Sequence, residues 1–225
     1  MTELRIASAG DAALLVEWPA RIDPLVSSRA VALAQAIRAE YAADVRDVVV
    51  GYCSATVYFD PLHVEADALE SDVRRIARTL PDTAVLEGDL IDVDVCYGGD
   101  LGPDLADVAA FARVSEDDVV ALHSAMTYRV YVVGFIPGFP YMASVDPRLA
   151  LPRRAIPRTR VPAGSVAIAA GQTGIYPSET PGGWHLIGRT RVRPYDDSRS
   201  EPFLFKPGDR VRFHPVNRDE FERSA

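Results

Sequence analysis

Between residues 134 and 190 lie four segments whose side chains could bind or orient a small polar molecule. In Gly134-Phe135-Ile136-Pro137-Gly138-Phe139-Pro140-Tyr141 the prolines remove backbone donors and the glycines admit positive φ. The run is therefore expected to be a rigid, shaped loop, neither helix nor central strand. Phe135, Phe139 and Tyr141 would give it aromatic walls beside exposed backbone at Pro137 and Gly138, a combination that grips a small flat ligand. A plain Gly/Pro connection in a β-rich domain has the same composition. Pro152–Pro162 carries Arg153, Arg154, Arg158 and Arg160 on a proline-stiffened backbone. Such guanidiniums can hold carboxylate or phosphate through paired planar hydrogen bonds, or can simply form a solvated surface. Gln172 and Thr173 offer an amide and a hydroxyl between glycines. In Gly182-Gly183-Trp184-His185-Leu186-Ile187-Gly188-Arg189 an aromatic and a basic side chain follow a permissive turn.

Generic catalytic signatures are missing. The chain has no Gly-x-x-x-x-Gly-Lys-Ser/Thr loop, no Gly-x-Gly-x-x-Gly after a strand, no His-Glu-x-x-His and no Gly-x-Ser-x-Gly. Cys53 and Cys96 lack the spacing and the histidines of a zinc site, so no metal centre is expected and both thiols read as reduced packing residues. The basic residues are 23 arginines and a single lysine, Lys206, which restricts any lysine chemistry to one position before a Pro-Gly turn.

The elements that must position these loops divide at about residue 86. Residues 1–86 read as two hairpin-and-helix units forming a small α/β sandwich. Asp23-Pro24 caps a helix whose Val26, Ala30, Leu33, Ile37 and Tyr41 share one face. Val45–Gly51 and Ala55–Phe59 are strands, and a second helix carries Leu69, Val73, Ile76 and Leu80, with Asp67 and Glu70 as an expected capping box. Polar Pro81–Asp89 is the expected linker. Residues 87–225 open with the alternating strand Ile91–Tyr97 and continue through a helix entered at Pro103 and another capped by Ser115 with Asp118. From Tyr128 onward strands separated by glycine and proline dominate, as in a β-rich barrel or sandwich.

Charge narrows the partners. A net charge of −8 disfavours nucleic acid, whose phosphates need a basic face. The distribution is uneven: residues 1–150 hold 24 acids against 11 bases, residues 151–225 hold 8 against 13. A local anion site in the last third is therefore compatible with the acidic total. No stretch approaches the roughly 20 apolar residues of a membrane helix, and Met1–Asp11 lacks signal-peptide character, so a cytoplasmic protein without membrane partners is expected.

His123 followed by Tyr128, then GFIPGFPYM, PRRAIPRTRVPAGSVAIA, QTGIYP and PGGWHLIGRT in this order and spacing, resembles the family of the bacterial 5-oxoprolinase B subunit. That family is also labelled allophanate hydrolase subunit 1 and includes an inhibitor of a sporulation histidine kinase. It is similar to one half of the carboxyltransferase region of biotin-dependent urea carboxylase. The resemblance implies an α+β protein, a small α/β sandwich followed by a cyclophilin-like β-barrel carrying the ligand site. It implies a C-type subunit as partner, a third oxoprolinase component, a lactam or amide substrate, and ATP with Mg2+ as co-substrate. Little activity is expected of the chain alone. Carried over position by position, it marks His123 for proton transfer. Phe135, Pro137, Gly138, Phe139, Tyr141, Ser165, Gln172, Thr173, Gly182, Gly183 and Trp184 are marked for the substrate, and Arg153, Arg154, Arg158 and Arg189 for an anion or ATP phosphate. Two other uses of the family remain open at this point: binding and inhibiting a histidine kinase, and transferring a carboxyl group to urea or a related amide.

Overall fold

The computed structural model describes residues 4–80 and 85–223. These form two compact units, Met1–Glu87 and Gly88–Ala225. Residues 81–84 of the expected linker lie outside the described residues. Its last residue, Asp89, belongs to the second unit, where its carbonyl accepts from Arg210 N at 2.8 Å.

The first unit is a four-stranded antiparallel sheet with two helices. Strands β1 (Arg5–Ser8), β2 (Ala13–Glu17), β3 (Val45–Val50) and β4 (Ser54–Phe59) lie in the order β1-β2-β4-β3. Helix α1 (Pro24–Glu40) starts where Asp23 Oδ1 accepts from Leu25 N and Val26 N. That occupies two of the four donors a helix start leaves unpaired. Its Val26, Ala30, Leu33 and Ile37 are buried with Leu69, Val73 and Ile76 of α2 (Ala66–Thr79) in one core. The capping box expected at Asp67 and Glu70 does not form. The helix begins at Ala66 with Glu65 at the cap position and no side-chain cap. Glu70 instead pairs with Arg74 one turn on, at 2.8 Å, the favoured Glu-to-Arg order along a helix.

The second unit is built on a closed seven-stranded barrel. Its strands are β5 (Leu90–Tyr97), β6 (Thr127–Val133), β7 (Pro140–Ala143), β9 (Ser165–Ala169), β10 (Gln172–Ile175), β12 (His185–Arg189) and β13 (Arg210–Pro215), in the order β10-β7-β6-β13-β5-β12-β9. Closure joins the two ends of the unit, because β13 runs parallel to β5 with Arg210 opposite Leu90 and Pro215 opposite Val95. A closed barrel leaves no unpaired edge. The interior holds Val93, Val95, Val130, Val166, Ile168, Val211 and Phe213. Leu105 and Val108 of α3 (Leu105–Ala112) and Val119 of α4 (Glu116–Ser124) join the same cluster. The capping box of α4 forms as the sequence indicates: Ser115 Oγ accepts from Asp118 N, and Asp118 Oδ2 accepts from Ser115 N. Outside the barrel, β8 (Arg158–Val161) pairs with β11 (Thr180–Gly182), and the chain ends in α5 (Arg218–Arg223). The α+β class and the sandwich-then-barrel order agree with expectation.

Two segments read as loops are partly strand. Pro140 and Tyr141 begin β7, which pairs on both sides: with β6 (Val133 opposite Pro140) and with β10 (Thr173 opposite Met142). A proline is tolerated as the first residue of a strand, where its missing N–H removes no interior ladder bond. The shaped loop therefore ends at Phe139. Arg158 likewise sits on β8, opposite Gly182.

Candidate functional site

The loop before β7 is held by its own backbone. Gly134 N donates to Phe139 O, Ile136 N to Gly134 O and Phe139 N to Ile136 O. Two residues take left-handed φ, Phe135 at 67° and Gly138 at 86°. A side chain at 138 would also stand 2.7 Å from Tyr195 Cβ, so glycine is required there twice over. Phe135 is a non-glycine residue in the same sparsely populated region, held with its ring 65% exposed and Pro137 beside it on the surface.

Behind the exposed Phe135 the other aromatics form a continuous cluster. Its ring meets Phe139 edge-on at 6.1 Å. Phe139 packs against Tyr141 at 4.8 Å, Tyr176 at 5.0 Å and Trp184 at 5.5 Å. Centroid separations of this size with steep interplanar angles are the favourable edge-to-face range. Glycines make the space. A Cβ on Gly174 would come within 2.7 Å of the Phe139 ring, and one on Gly182 within 2.3 Å of Tyr176 Oη. Burial raises the pKa of Tyr141 and of Tyr176, with Arg153 opposing both shifts. Both phenols are therefore neutral donors at ordinary pH.

The arginines separate. Asp104, only 2% exposed, accepts Arg154 Nη1 at 2.9 Å, both terminal nitrogens of Arg158 at 2.7 Å, and Leu186 N at 2.7 Å. Burial alone would raise this carboxyl's pKa, but the hydrogen bonds from Arg158 and Leu186 outweigh it and hold it below the ordinary value. Asp104 occupies the N-cap position of α3 yet caps nothing, because its oxygens are committed to the guanidiniums. Arg154 and Arg158 thus answer an internal carboxylate, and the expectation of one anion-binding arginine segment narrows to Arg153. That side chain is exposed and lies along Gly183, with Nε and Nη2 3.6 Å from where a Cβ would be. Arg153 is paired with no carboxylate among the described residues, so it remains available beside Tyr141, Tyr176 and the Gly183-Trp184 turn. Sequence reasoning missed Asp104. Its one local signal, an acid directly after Pro103 at a helix start, reads as an ordinary cap.

His123 is placed differently from its expected role. The ring is fully buried, 4.7 Å from the Phe213 ring, with Tyr97 Oη 2.8 Å from Nδ1 and Thr173 Oγ1 2.9 Å from Nε2. Thr173 Oγ1 donates to Ala167 O at 3.1 Å, so it accepts from Nε2–H, and Nδ1 in turn accepts from the Tyr97 hydroxyl. This chain of hydrogen bonds fixes the neutral Nε2–H tautomer. Burial lowers the His123 pKa to about 3. With both nitrogens engaged and the ring sealed from solvent, His123 braces α4 against the barrel; proton transfer to a ligand needs an exposed edge that it lacks. Thr173, also fully buried, belongs to this brace. Gln172 is half-buried at the start of β10.

Ser165 and Arg189 face each other across β9 and β12. Both carry a buried polar atom, Ser165 Oγ and Arg189 Nε, without a hydrogen-bond partner among the described residues. Arg189 lines an open groove of about 940 Å³ with Gly164, Arg191 and Phe221. None of the aromatic loop residues line it. No group of three or more His, Cys, Asp or Glu among the described residues is arranged to hold a metal ion. No described helix is long and apolar enough to cross a membrane. Cys53 and Cys96 are free thiols.

The comparisons with known proteins agree on one relationship. The family described as carboxyltransferase domain, subdomain C and D, matches residues 4–205. The 5-oxoprolinase B subunit of Escherichia coli O157:H7 is 42% identical over 218 residues, 96% of this chain and 97% of that protein. The 5-oxoprolinase B subunit of Bacillus subtilis (strain 168) is 32% identical over 227 residues, 96% of this chain and 95% of that protein. Among solved structures, that of TTHA0988 is similar with a TM-score of 0.81 and 38% identity over 91% of this chain; the match spans 40% of the TTHA0988 chain. The chain accordingly belongs to the family of the 5-oxoprolinase B subunit, built on subdomains C and D of the carboxyltransferase domain.

Proposed function

We propose that this chain is the B-type subunit of a cytoplasmic, ATP-dependent 5-oxoprolinase, which opens the lactam of 5-oxoproline to L-glutamate together with a C-type partner and a third component. The observation that carries this reading is the unpaired Arg153 beside a rigid aromatic cluster. A flat five-membered lactam suits the faces of Phe135, Tyr141 and Trp184, and its carboxylate suits a planar guanidinium. The Tyr141 phenol, kept neutral by burial, can donate to a lactam carbonyl. In the reaction, the carbonyl oxygen takes the γ-phosphoryl group of ATP, water adds at the carbonyl carbon, the C–N bond breaks, and phosphate departs as the nitrogen gains a proton. Mg2+ enters with the nucleotide as part of that substrate.

Little activity is proposed for the chain alone. His123 is sealed and neutral, and the imidazole next to the Trp184 turn is His185, half-buried, with Nε2 3.0 Å from Pro152 O and Nδ1 without a partner among the described residues. Phe135 and Ile156, 65% and 82% exposed, lie on the two segments that frame the site. Large apolar side chains left so open on site loops suit a surface that a partner covers. The test is reconstitution: purified chain, partner and third component, each shown folded, assayed for glutamate release from 5-oxoproline with and without ATP. Release that needs ATP and all three components is expected; no release from the full set would sink the reading.

A further inference from the structure

The basic excess of residues 151–225 is not used up by the aromatic site, where Arg154 and Arg158 share the one carboxylate of Asp104. Part of it gathers in the 940 Å³ groove, which five arginines and three acids line. The sequence Arg189-Thr190-Arg191-Val192-Arg193 explains how. All five residues line the groove, with Thr190 buried and Val192 packed against the barrel core at its floor. The groove's cations differ in how far they are satisfied. Arg218 is held at 2.7 Å by both Asp100 and Glu222. Arg193 and Arg199 share Asp196 loosely, at 3.8 and 3.7 Å. Arg191 lies over the Phe221 ring at 4.5 Å and donates to Phe221 O.

Arg189 is the exception, its buried Nε bonded to nothing among the described residues. Directly opposite on β9 is Ser165, fully buried, with an equally unpartnered hydroxyl. Residues directly opposite in an antiparallel pair lie on one face with Cβ atoms about 5 Å apart. Ser165 is sealed behind the groove wall, whereas Arg189 lines the groove, and an unsatisfied guanidinium donor there calls for an acceptor. Gly164, with φ 77°, lines the groove beside them; a Cβ there would strike Thr190 O at 2.3 Å and touch the Arg189 stem. The backbone can approach Arg189 this closely only because residue 164 is glycine.

We infer that this groove is an oligophosphate site, with Arg189 donating to a phosphate oxygen at one end and Arg191, Arg193 and Arg199 following the remaining phosphates. Its volume is at the upper end of the small-molecule range, roughly 300–1,000 Å³, far more than a lone small carboxylate needs. A chain of phosphates satisfies several guanidiniums at once. Two sources share that chemistry, a nucleoside triphosphate and free oligophosphate. The nucleotide source rests on the oxoprolinase reading; affinity for oligophosphate does not.

The experiment is calorimetric titration of the full chain with tripolyphosphate and with Mg·ATP, in the wild type and in Arg189→Ala, Arg189→Lys and Ser165→Ala. Arg189→Ala is expected to weaken tripolyphosphate binding at least tenfold, with Arg189→Lys intermediate. Ser165→Ala, behind the groove wall, is expected to leave binding within about twofold while thermal stability holds or rises, because an unsatisfied buried hydroxyl is removed. Should Arg189→Ala fail to fold, the lysine variant carries the test. Wild-type tripolyphosphate binding that is absent at millimolar concentration, or unchanged in all variants, overturns the site. ATP binding tenfold tighter than tripolyphosphate identifies a nucleotide; equal or weaker binding identifies free oligophosphate. Glutamate release by a reconstituted complex whose Arg189→Ala chain has normal ATP dependence overturns the nucleotide source and leaves the oxoprolinase reading standing. Groove binding without glutamate release does the reverse.

Discussion

Lowering the pH from about 7.5 to about 5 should destabilise the second unit through His123 alone. In the unfolded chain a histidine titrates near 6.5, whereas burial holds the folded ring at about 3. A histidine with a depressed folded pKa contributes full stability above its unfolded pKa. It loses that stability as pH falls, because only the unfolded state gains the proton. Over the roughly 1.5 units between 6.5 and 5, at about 1.4 kcal/mol per unit, the loss is about 2 kcal/mol. The figure is insensitive to the folded value so long as it lies well below 5. Carboxylates with lowered folded pKa values contribute little in this window, since their unfolded values are near 4, and Asp209, whose carboxyl burial pushes up, is common to the wild type and the His123→Gln variant. The assay is urea unfolding of the wild type and His123→Gln at both pH values. Gln keeps a donor and an acceptor but cannot titrate, so its pH dependence should be shallower by about 2 kcal/mol. Imidazole nitrogen shifts should show the neutral Nε2–H form of His123 persisting to about pH 5. Equal pH dependence in the two proteins, or an imidazolium at pH 5, refutes the buried neutral brace.

Three further outcomes are expected. Asp104→Ala leaves Arg154 and Arg158 without their shared carboxylate and should cost on the order of 3–5 kcal/mol in chemical unfolding; because its folded pKa is depressed, the wild-type contribution is present above about pH 3.9 and fades as pH falls through the lower folded value. Gly174→Ala forces a methyl to within 2.7 Å of the Phe139 ring and should lower stability by about 1–3 kcal/mol, with a changed near-ultraviolet aromatic signal. Ile156→Asp, at a fully open position, should leave the Tm of the isolated chain within a degree or so while weakening co-purification with the C-type partner at least tenfold; retained association would remove Ile156 from that surface.

Local signals in the sequence translated directly into structure. Asp23-Pro24 and Ser115 with Asp118 give the helix starts, since a cap is a contact among neighbours. The steps of three and four in α1 and α2 place Val26, Leu33, Leu69 and Val73 in the core because one turn of helix sets them. What stayed hidden is non-local. Arg154 and Arg158 meet Asp104 from 50 and 54 residues away, and no periodicity records that encounter, so an internal ion-paired cluster reads as a free anion site. The glycines that shape the aromatic cluster were visible as composition. Which ring each one accommodates depends on strands that pair only once the barrel closes. His123 shows the limit most clearly: an isolated histidine on a helix gives no sign of whether its edge meets water or the side chains of Tyr97 and Thr173.

The most direct test of the central claim asks whether Arg153 reads the carboxylate of the substrate. In the reconstituted complex, ATP-dependent ring opening is measured for 5-oxoproline and for its neutral primary amide, with wild-type chain and with Arg153→Ala. Loss of one charge-assisted hydrogen-bonded pair should lower kcat/KM for 5-oxoproline by roughly ten- to a hundredfold, about 1.5–3 kcal/mol. The neutral amide should be turned over equally by both proteins. Equal rates on 5-oxoproline, or an equal loss on both substrates, would contradict the placement of the substrate beside Arg153 and the aromatic cluster.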